Sequence, residues 1–194
     1  VLPGSRTNEI RLLLPPFREA VALLKEKIPG LVCVLPTVHH VAARVREAAK
    51  NWPAPLHILE GDDDKFAAFD AADAALAASG TVTTELALSG TPMVVGYKAG
   101  WLTYRLMRPI VSVKFATLVN IILNRPAIPE FIQDRCKPAA LADALYALFR
   151  DPAARAQQIK DLAEAVQELG VGEELPSLRA ARALLDFARG GLRN

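Results

Sequence analysis

The chain has 194 residues, 52% of them hydrophobic, with 23 basic against 21 acidic side chains. That is ample apolar material for a packed domain and excludes a disordered chain, while a net charge of +2 without a Lys/Arg block argues against a nucleic-acid binder. No apolar run approaches the roughly 18 residues of a membrane-spanning helix. Cys33 and Cys136 stand outside any CxxC or Cys/His cluster, so both are expected as free thiols in a reducing compartment.

Val1-Leu2-Pro3 reads as the end of a strand that runs into the turn Gly4-Ser5-Arg6. A domain seldom opens on the last residues of a strand, so the chain is expected to be a fragment. Thr7 is expected to cap a helix from Asn8, which Pro15-Pro16 should kink or restart before it ends near Lys27 and Pro29-Gly30. Leu31 to Leu35 reads as a buried strand. Val38 to Lys50 carries Val38, Val41, Ala42, Val45, Ala48 and Ala49 at helical spacing. Leu56 to Leu59 is a third short strand, and Asp62-Asp63-Asp64 leads into a helix from Lys65 to Ala71.

The stretch from Ala71 to Tyr97 organises the rest. It predicts a strand (Ala74 to Ala77), a turn at Ser79-Gly80-Thr81, a helix (Val82 to Leu88), a turn at Gly90-Thr91-Pro92 and a strand (Met93 to Tyr97). Trp101 to Ile110 predicts a helix, Val111 to Leu118 a short strand or extended loop, and Pro126 to Asp134 a loop with a short helix around PEFIQ. From Pro138 the signal is all helix, at about 138–149, 152–169 and 177–189. Alternating strands and helices are the signature of an α/β fold, a Rossmann-like, doubly wound, mostly parallel sheet with helices on both faces. Residues 1–150 are expected to form that domain, and 151–194 a helical carboxyl-terminal extension packed on it or on a partner.

A strand–turn–helix junction aims free N–H groups and the positive end of a helix dipole at one spot, which suits phosphate. Gly80 lets the backbone approach a ligand, Thr81 is expected as the N-cap, and Thr84 and Glu85 are expected to follow in the first turn. A carboxylate there is favoured by the dipole yet repels a phosphate placed on it. A nucleotide resolves the conflict, with its diphosphate on the turn amides and its ribose hydroxyls on Glu85. The competing reading is that Glu85 only stabilises the helix start. Arg6, after the first strand, projects toward the carboxyl ends of the strands, where a forked guanidinium suits a diphosphate. Asn120 could hold a loop or a phosphate, and Gln133 could read a base or sugar edge. His39, His40 and His57 lack metal-ligand spacing, and Asp62-Asp63-Asp64 lacks the alternation of a calcium loop. No metal site, no cofactor and no catalytic triad is expected; the chain should bind rather than react. Trp101, Leu102, Arg105 and Met107 mix large apolar groups with arginine, which fits a lipid-facing helix or an ordinary helix packed on the sheet.

Leu2-Pro3-Gly4-Ser5-Arg6 with Glu9, Ala78-Ser79-Gly80-Thr81 with Glu85, Pro92 to Tyr97, Leu118 with Asn120, and Pro129 to Gln133 occur in that order. Together, over about residues 1 to 150, they resemble the carboxyl-terminal half of lipid-A-disaccharide synthases. The resemblance implies one half of a GT-B glycosyltransferase, with two Rossmann-like domains facing across a cleft. It implies an inverting, metal-free reaction that joins UDP-2,3-diacylglucosamine to 2,3-diacylglucosamine 1-phosphate and releases UDP. By position, Arg6 and the amides after Ser79 would serve the diphosphate and Glu85 the ribose, with Asn120 and Gln133 completing the pocket. The catalytic base would lie in the amino-terminal half. The implied partners are that half, both acylated sugars, a second copy and a membrane surface, with nucleic acid excluded. The implied place is the cytoplasmic face of a bacterial inner membrane. Val119 departs from the family, which often has proline before the asparagine, and the three aspartates differ as well. A UDP-N-acetylglucosamine 2-epimerase-like enzyme and a non-catalytic nucleotide-binding module are the alternatives.

Overall fold

The computed structural model describes residues 1–100 and 114–170, together with 181, 182, 184, 185 and 187. The helix expected at Trp101 to Ile110, with the candidate lipid-facing residues Trp101, Leu102, Arg105 and Met107, lies outside the described residues, as does most of 177–189. In chain order the elements are α1 (Thr7–Lys27), β1 (Cys33–Thr37), α2 (His39–Ala48), β2 (Leu56–Glu60), α3 (Asp62–Ala71), β3 (Ala75–Ala78) and α4 (Thr81–Leu88). Then follow β4 (Met93–Tyr97), α5 (Leu118–Leu123), β5 (Glu130–Ile132), a 3₁₀ turn (Gln133–Arg135), α6 (Pro138–Arg150) and α7 (Pro152–Glu168).

All described strand pairs are parallel: β1 with β2, β3 with β4, and β4 with β5. Val1 and Leu2 fill the seam between the two groups. The Val1 nitrogen donates to Val34 O at 2.7 Å, Leu2 N donates to Leu76 O at 2.8 Å, and Ala78 N donates to Leu2 O at 2.7 Å. Counting that short strand first, the spatial order is 3-2-1-4-5-6, the doubly wound order expected. The winding reverses between Leu2 and β3. Ligands of such sheets bind at that reversal, outside the carboxyl ends of the strands.

The strand period of two sends alternate side chains to opposite faces. Ala75, Ala77, Met93 and Val95 pack with Phe69 of α3, Leu86 of α4, and Leu162 and Ala165 of α7. Leu76, Ala78 and Val94 pack on the other face with Leu13, Phe17 and Leu24 of α1 and Leu141 and Leu145 of α6. Helix α7 is therefore a layer of the domain. Gln158 of α7 fastens it, accepting from Met93 N at 2.6 Å and donating to Met93 O at 3.1 Å.

Three expectations are corrected. Helix α1 runs unbroken through Pro15 and Pro16. Proline inside a helix costs about 3 kcal/mol or more, but each large apolar side chain buried contributes about 1.5–3 kcal/mol. Ile10, Leu13, Leu14, Phe17, Val21 and Leu24 are all buried on α1 and outweigh the two prolines. Second, PEFIQ supplies strand β5 over Glu130–Ile132, with Phe131 paired opposite Gly96, and the short helix expected around it begins only at Gln133 as the 3₁₀ turn. Third, the extended reading of Val111 to Leu118 fails at its end, because Leu118 opens α5 under the Thr117 cap.

Candidate functional site at the sheet reversal

Two turns leave the sheet at the reversal, Gly4-Ser5-Arg6 into α1 and Ser79-Gly80-Thr81 into α4. Between them lies a cleft of about 890 Å³. Its other walls are Pro36 to His39 at the end of β1 and just past it, Glu60 and Gly61 likewise at the end of β2, Lys65 on α3, and Val82 and Glu85 on α4.

The turns look alike in sequence and differ in what they leave free. At the first, Gly4 has φ +103°, and a Cβ there would lie 2.3 Å from Glu9 Oε2 and 2.7 Å from Glu9 Cβ. The absent side chain makes room for Glu9. Its Oε2 accepts from Ser5 N at 3.0 Å and Arg6 N at 3.2 Å, while its Oε1 accepts from the Arg6 guanidinium at 2.8 Å. The first turn's amides are thus answered by the protein's own carboxylate. Arg6 itself is the N-cap, so Thr7 does not cap α1. The Arg6 side chain is 81% exposed, which leaves the guanidinium open to an incoming anion.

At the second turn Gly80 has φ +156° and is the N-cap of α4; Thr81, expected in that role, is the first helical residue and makes no capping bond. Among the described residues, no carboxylate folds back over the amides of Thr81 and Val82, two of the orphan donors that a helix start leaves. Ser79 Oγ donates to Ala116 O at 2.7 Å and Thr83 Oγ1 to Gly80 O at 2.7 Å, so both hydroxyls shape the turn. With α4 starting at Thr81, Glu85 falls one residue beyond the first turn. It still lines the cleft, and its Oε1 meets Lys65 Nζ at 3.1 Å. Distance from the helix end reduces its conflict with a phosphate held on the amides.

The residues expected farther along the chain divide differently. Thr84, Asn120 and Gln133 do not line this cleft. Asn120 fills the loop-holding role: it is 1% exposed, donates to Ile128 O at 2.8 Å and Glu130 Oε1 at 2.7 Å, and accepts from Ile128 N at 2.8 Å. Glu130 also accepts from Ala116 N and Thr117 N, both at 2.8 Å, and from Thr117 Oγ1 at 2.5 Å. Gln133, at φ +53°, follows β5 on the same carboxyl edge as Ser79. Two strand spacings separate the ends of β3 and β5, roughly 10 Å.

The sequence reading missed one wall. From the sequence, Lys65 stands only as the start of a helix, and the histidines only as residues without metal-ligand spacing. Thr37 and Glu60 end strands β1 and β2 and His39 lies just past β1, all at the carboxyl edge, which is the signal that could have found them. Among the described residues, Thr37 Oγ1 is buried without a hydrogen-bond partner, and His39 Nδ1 lies 3.4 Å from Glu60 Oε2, while Glu60 Oε1 meets Arg46. Among the described residues no group of His, Cys, Asp and Glu could hold a metal ion.

Residues 1–182 match the family model described as lipid-A-disaccharide synthetase. The chain is 46% identical over 186 residues to the lipid-A-disaccharide synthase of Rhodospirillum centenum, covering 96% of this chain and 46% of that protein. To the lipid-A-disaccharide synthase of Paramagnetospirillum magneticum it is 46% identical over 195 residues, 98% of this chain and 49% of the relative. The corresponding protein of Nitrobacter winogradskyi is 41% identical over 189 residues, with 97% and 48% covered. The chain spans about half the length of the curated relatives it matches. It belongs to the lipid-A-disaccharide synthase family.

Proposed function

We propose that this chain is the donor-binding half of an inverting glycosyltransferase, and that UDP and the sugar it carries enter the cleft at the sheet reversal. The observation that carries this reading is the unequal pair of turns. One is closed by Glu9 and presents Arg6; the other leaves amides at a helix start, with Glu85 one turn along. The diphosphate would lie on the α4 amides and meet Arg6, and the ribose hydroxyls would meet Glu85. Gln133, which follows β5 farther along the carboxyl edge, would meet the uracil base in this reading.

The donor in this reading is UDP-2,3-diacylglucosamine and the acceptor 2,3-diacylglucosamine 1-phosphate. The acceptor's 6-hydroxyl oxygen attacks the anomeric carbon as the bond from that carbon to the β-phosphate oxygen breaks. The anomeric centre inverts, UDP carries away the electron pair, and the hydroxyl proton passes to a base outside this chain. Charge growing on the diphosphate is met by fixed donors and a guanidinium, the kind of preorganised stabilisation that lowers such barriers. The facing wall, the base and much of the acyl-chain surface belong to an amino-terminal half in this reading. The whole enzyme would work at the cytoplasmic face of an inner membrane.

Calorimetry with UDP and no added metal tests the site. Arg6→Ala and Glu85→Ala should each weaken UDP by roughly tenfold to a hundredfold, the worth of a charge-assisted hydrogen bond. Unchanged affinity in both variants would sink the assignment. Assaying the longer protein for UDP release with both acylated sugars, against epimerisation of UDP-N-acetylglucosamine, separates the transferase from the epimerase.

A further inference from the structure

The conflict at Glu85, a carboxylate close to where a diphosphate must sit, has a structural answer on the neighbouring helix. We infer that Lys65 is a positioning residue for ribose recognition, holding the Glu85 carboxylate in place and offsetting its charge. The inference rests on the proposed nucleotide site and adds a residue to it.

Lys65 reaches Glu85 because of the way α3 is seated. Phe69, four residues on and therefore on the same face of the helix, is 3% exposed in the core beside Leu86 of α4. Thr91 Oγ1 donates to Phe69 O at 2.9 Å and fixes the end of that turn. One turn nearer the carboxyl edge, the same face carries Lys65 over α4. Its Nζ lies 3.1 Å from Glu85 Oε1 and 4.7 Å from the centroid of the Phe66 ring. The Lys65 side chain is 19% exposed and that of Glu85 31%, so solvent screens this pair less than an ion pair in open water.

Such a pair does two things a lone Glu85 could not. An ammonium on Oε1 limits the rotation of the carboxylate and leaves Oε2 and the second lone pair of Oε1 for a vicinal diol. Its positive charge also lowers the repulsion between Glu85 and a diphosphate on the α4 amides. Both effects favour a ligand that presents hydroxyls and phosphates together. The predicted consequence is discrimination between ribose and deoxyribose, because a held carboxylate loses a defined bond when the 2′-hydroxyl is absent.

The test compares UDP with 2′-deoxy-UDP by calorimetry on the full chain and on Lys65→Met, Lys65→Arg, Glu85→Gln and the Lys65→Met/Glu85→Gln double variant. The native chain should prefer UDP by roughly tenfold or more. Lys65→Met should bring that ratio toward one, Lys65→Arg should restore most of it, and Lys65→Met should change the ratio no further in the Glu85→Gln background. Melting curves check that each variant folds. Equal weakening of both nucleotides in Lys65→Met would overturn the inference, and so would a ratio that survives it. If the native chain binds neither nucleotide, or Glu85→Gln leaves UDP binding unchanged, the nucleotide site and the inference fall together. If Glu85→Gln weakens UDP while Lys65→Met leaves the ratio intact, only the inference falls.

Discussion

The carboxyl edge of the sheet has two sides built from the same kinds of residue and put to opposite uses. At the reversal, Arg6, Lys65, Glu85 and the start of α4 face a cleft. On the β5 side, Asn120 and Glu130 are spent on the chain itself, bonding the segment 116–120 to the residues around Ile128. An asparagine with both amide hydrogens and its carbonyl engaged has little left for a ligand. Polar residues in loops near a site are therefore of two kinds, and saturation of their hydrogen bonds separates them.

The sharpest way to break this comparison is Asn120→Ala. It leaves the N–H and the carbonyl of a fully buried Ile128 without their partner, at about 1–3 kcal/mol for each unsatisfied group. We expect a loss of about 3 kcal/mol and a melting temperature lower by roughly 6–12 °C. UDP affinity measured well below the transition should stay near that of the native chain. A variant that melts normally but no longer binds UDP would move Asn120 to the ligand-facing kind.

Much of this architecture is legible in the sequence, and the reasons differ by element. Strand β4 is read to the residue, Met93 to Tyr97, because Pro92 marks its start and every position from Met93 to Gly96 is apolar or small. Helices α6 and α7 are legible because Pro138 and Pro152 each open one. Other features depend on partners far along the chain. PEFIQ becomes a strand because β4 offers it a free edge, which no local pattern announces. Pro15-Pro16 stays helical because the apolar face around it is buried on both sides. At the site, Arg6, Gly80 and Glu85 are legible as a turn chemistry, whereas Lys65 depends on how Phe69 seats α3 and Asn120 on a loop that closes over Ile128.

Within the open side, Gly4→Ala sharpens the difference between the two turns. The new methyl would fall on Glu9 and the backbone would hold φ +103°, so Glu9 must leave the Ser5 and Arg6 amides. We expect a loss of about 2 kcal/mol, smaller than that of Asn120→Ala. Here UDP affinity should fall as well, because the freed Glu9 carboxylate and a displaced Arg6 both disturb the diphosphate side of the cleft. If calorimetry finds affinity intact while the melting temperature drops, the first turn is scaffold only, and the cleft's anion binding belongs to the second turn and Lys65.

The smallest expected effect tests whether the β5 side is tied down beyond the Asn120 loop. Arg125, just past α5, donates to Glu164 Oε2 at 2.5 Å and Oε1 at 3.0 Å, and to Asp161 Oδ1 at 2.9 Å, joining that side to α7. The hydrogen bond from Arg125 holds the Glu164 carboxyl below its ordinary range. A group whose pKa is depressed by folding stabilises the folded chain above its unfolded pKa, and that contribution disappears as pH falls through the folded value. Glu164→Gln should therefore lower the melting temperature slightly at pH 7 and progressively less as pH falls below the carboxylate range, about pH 4.3. Added salt should shrink the difference, since the pair stands in solvent. UDP affinity should not respond, because these bonds hold chain to chain. A pH-independent deficit, or one that comes with weaker UDP binding, would mean that the β5 side reaches into the cleft after all.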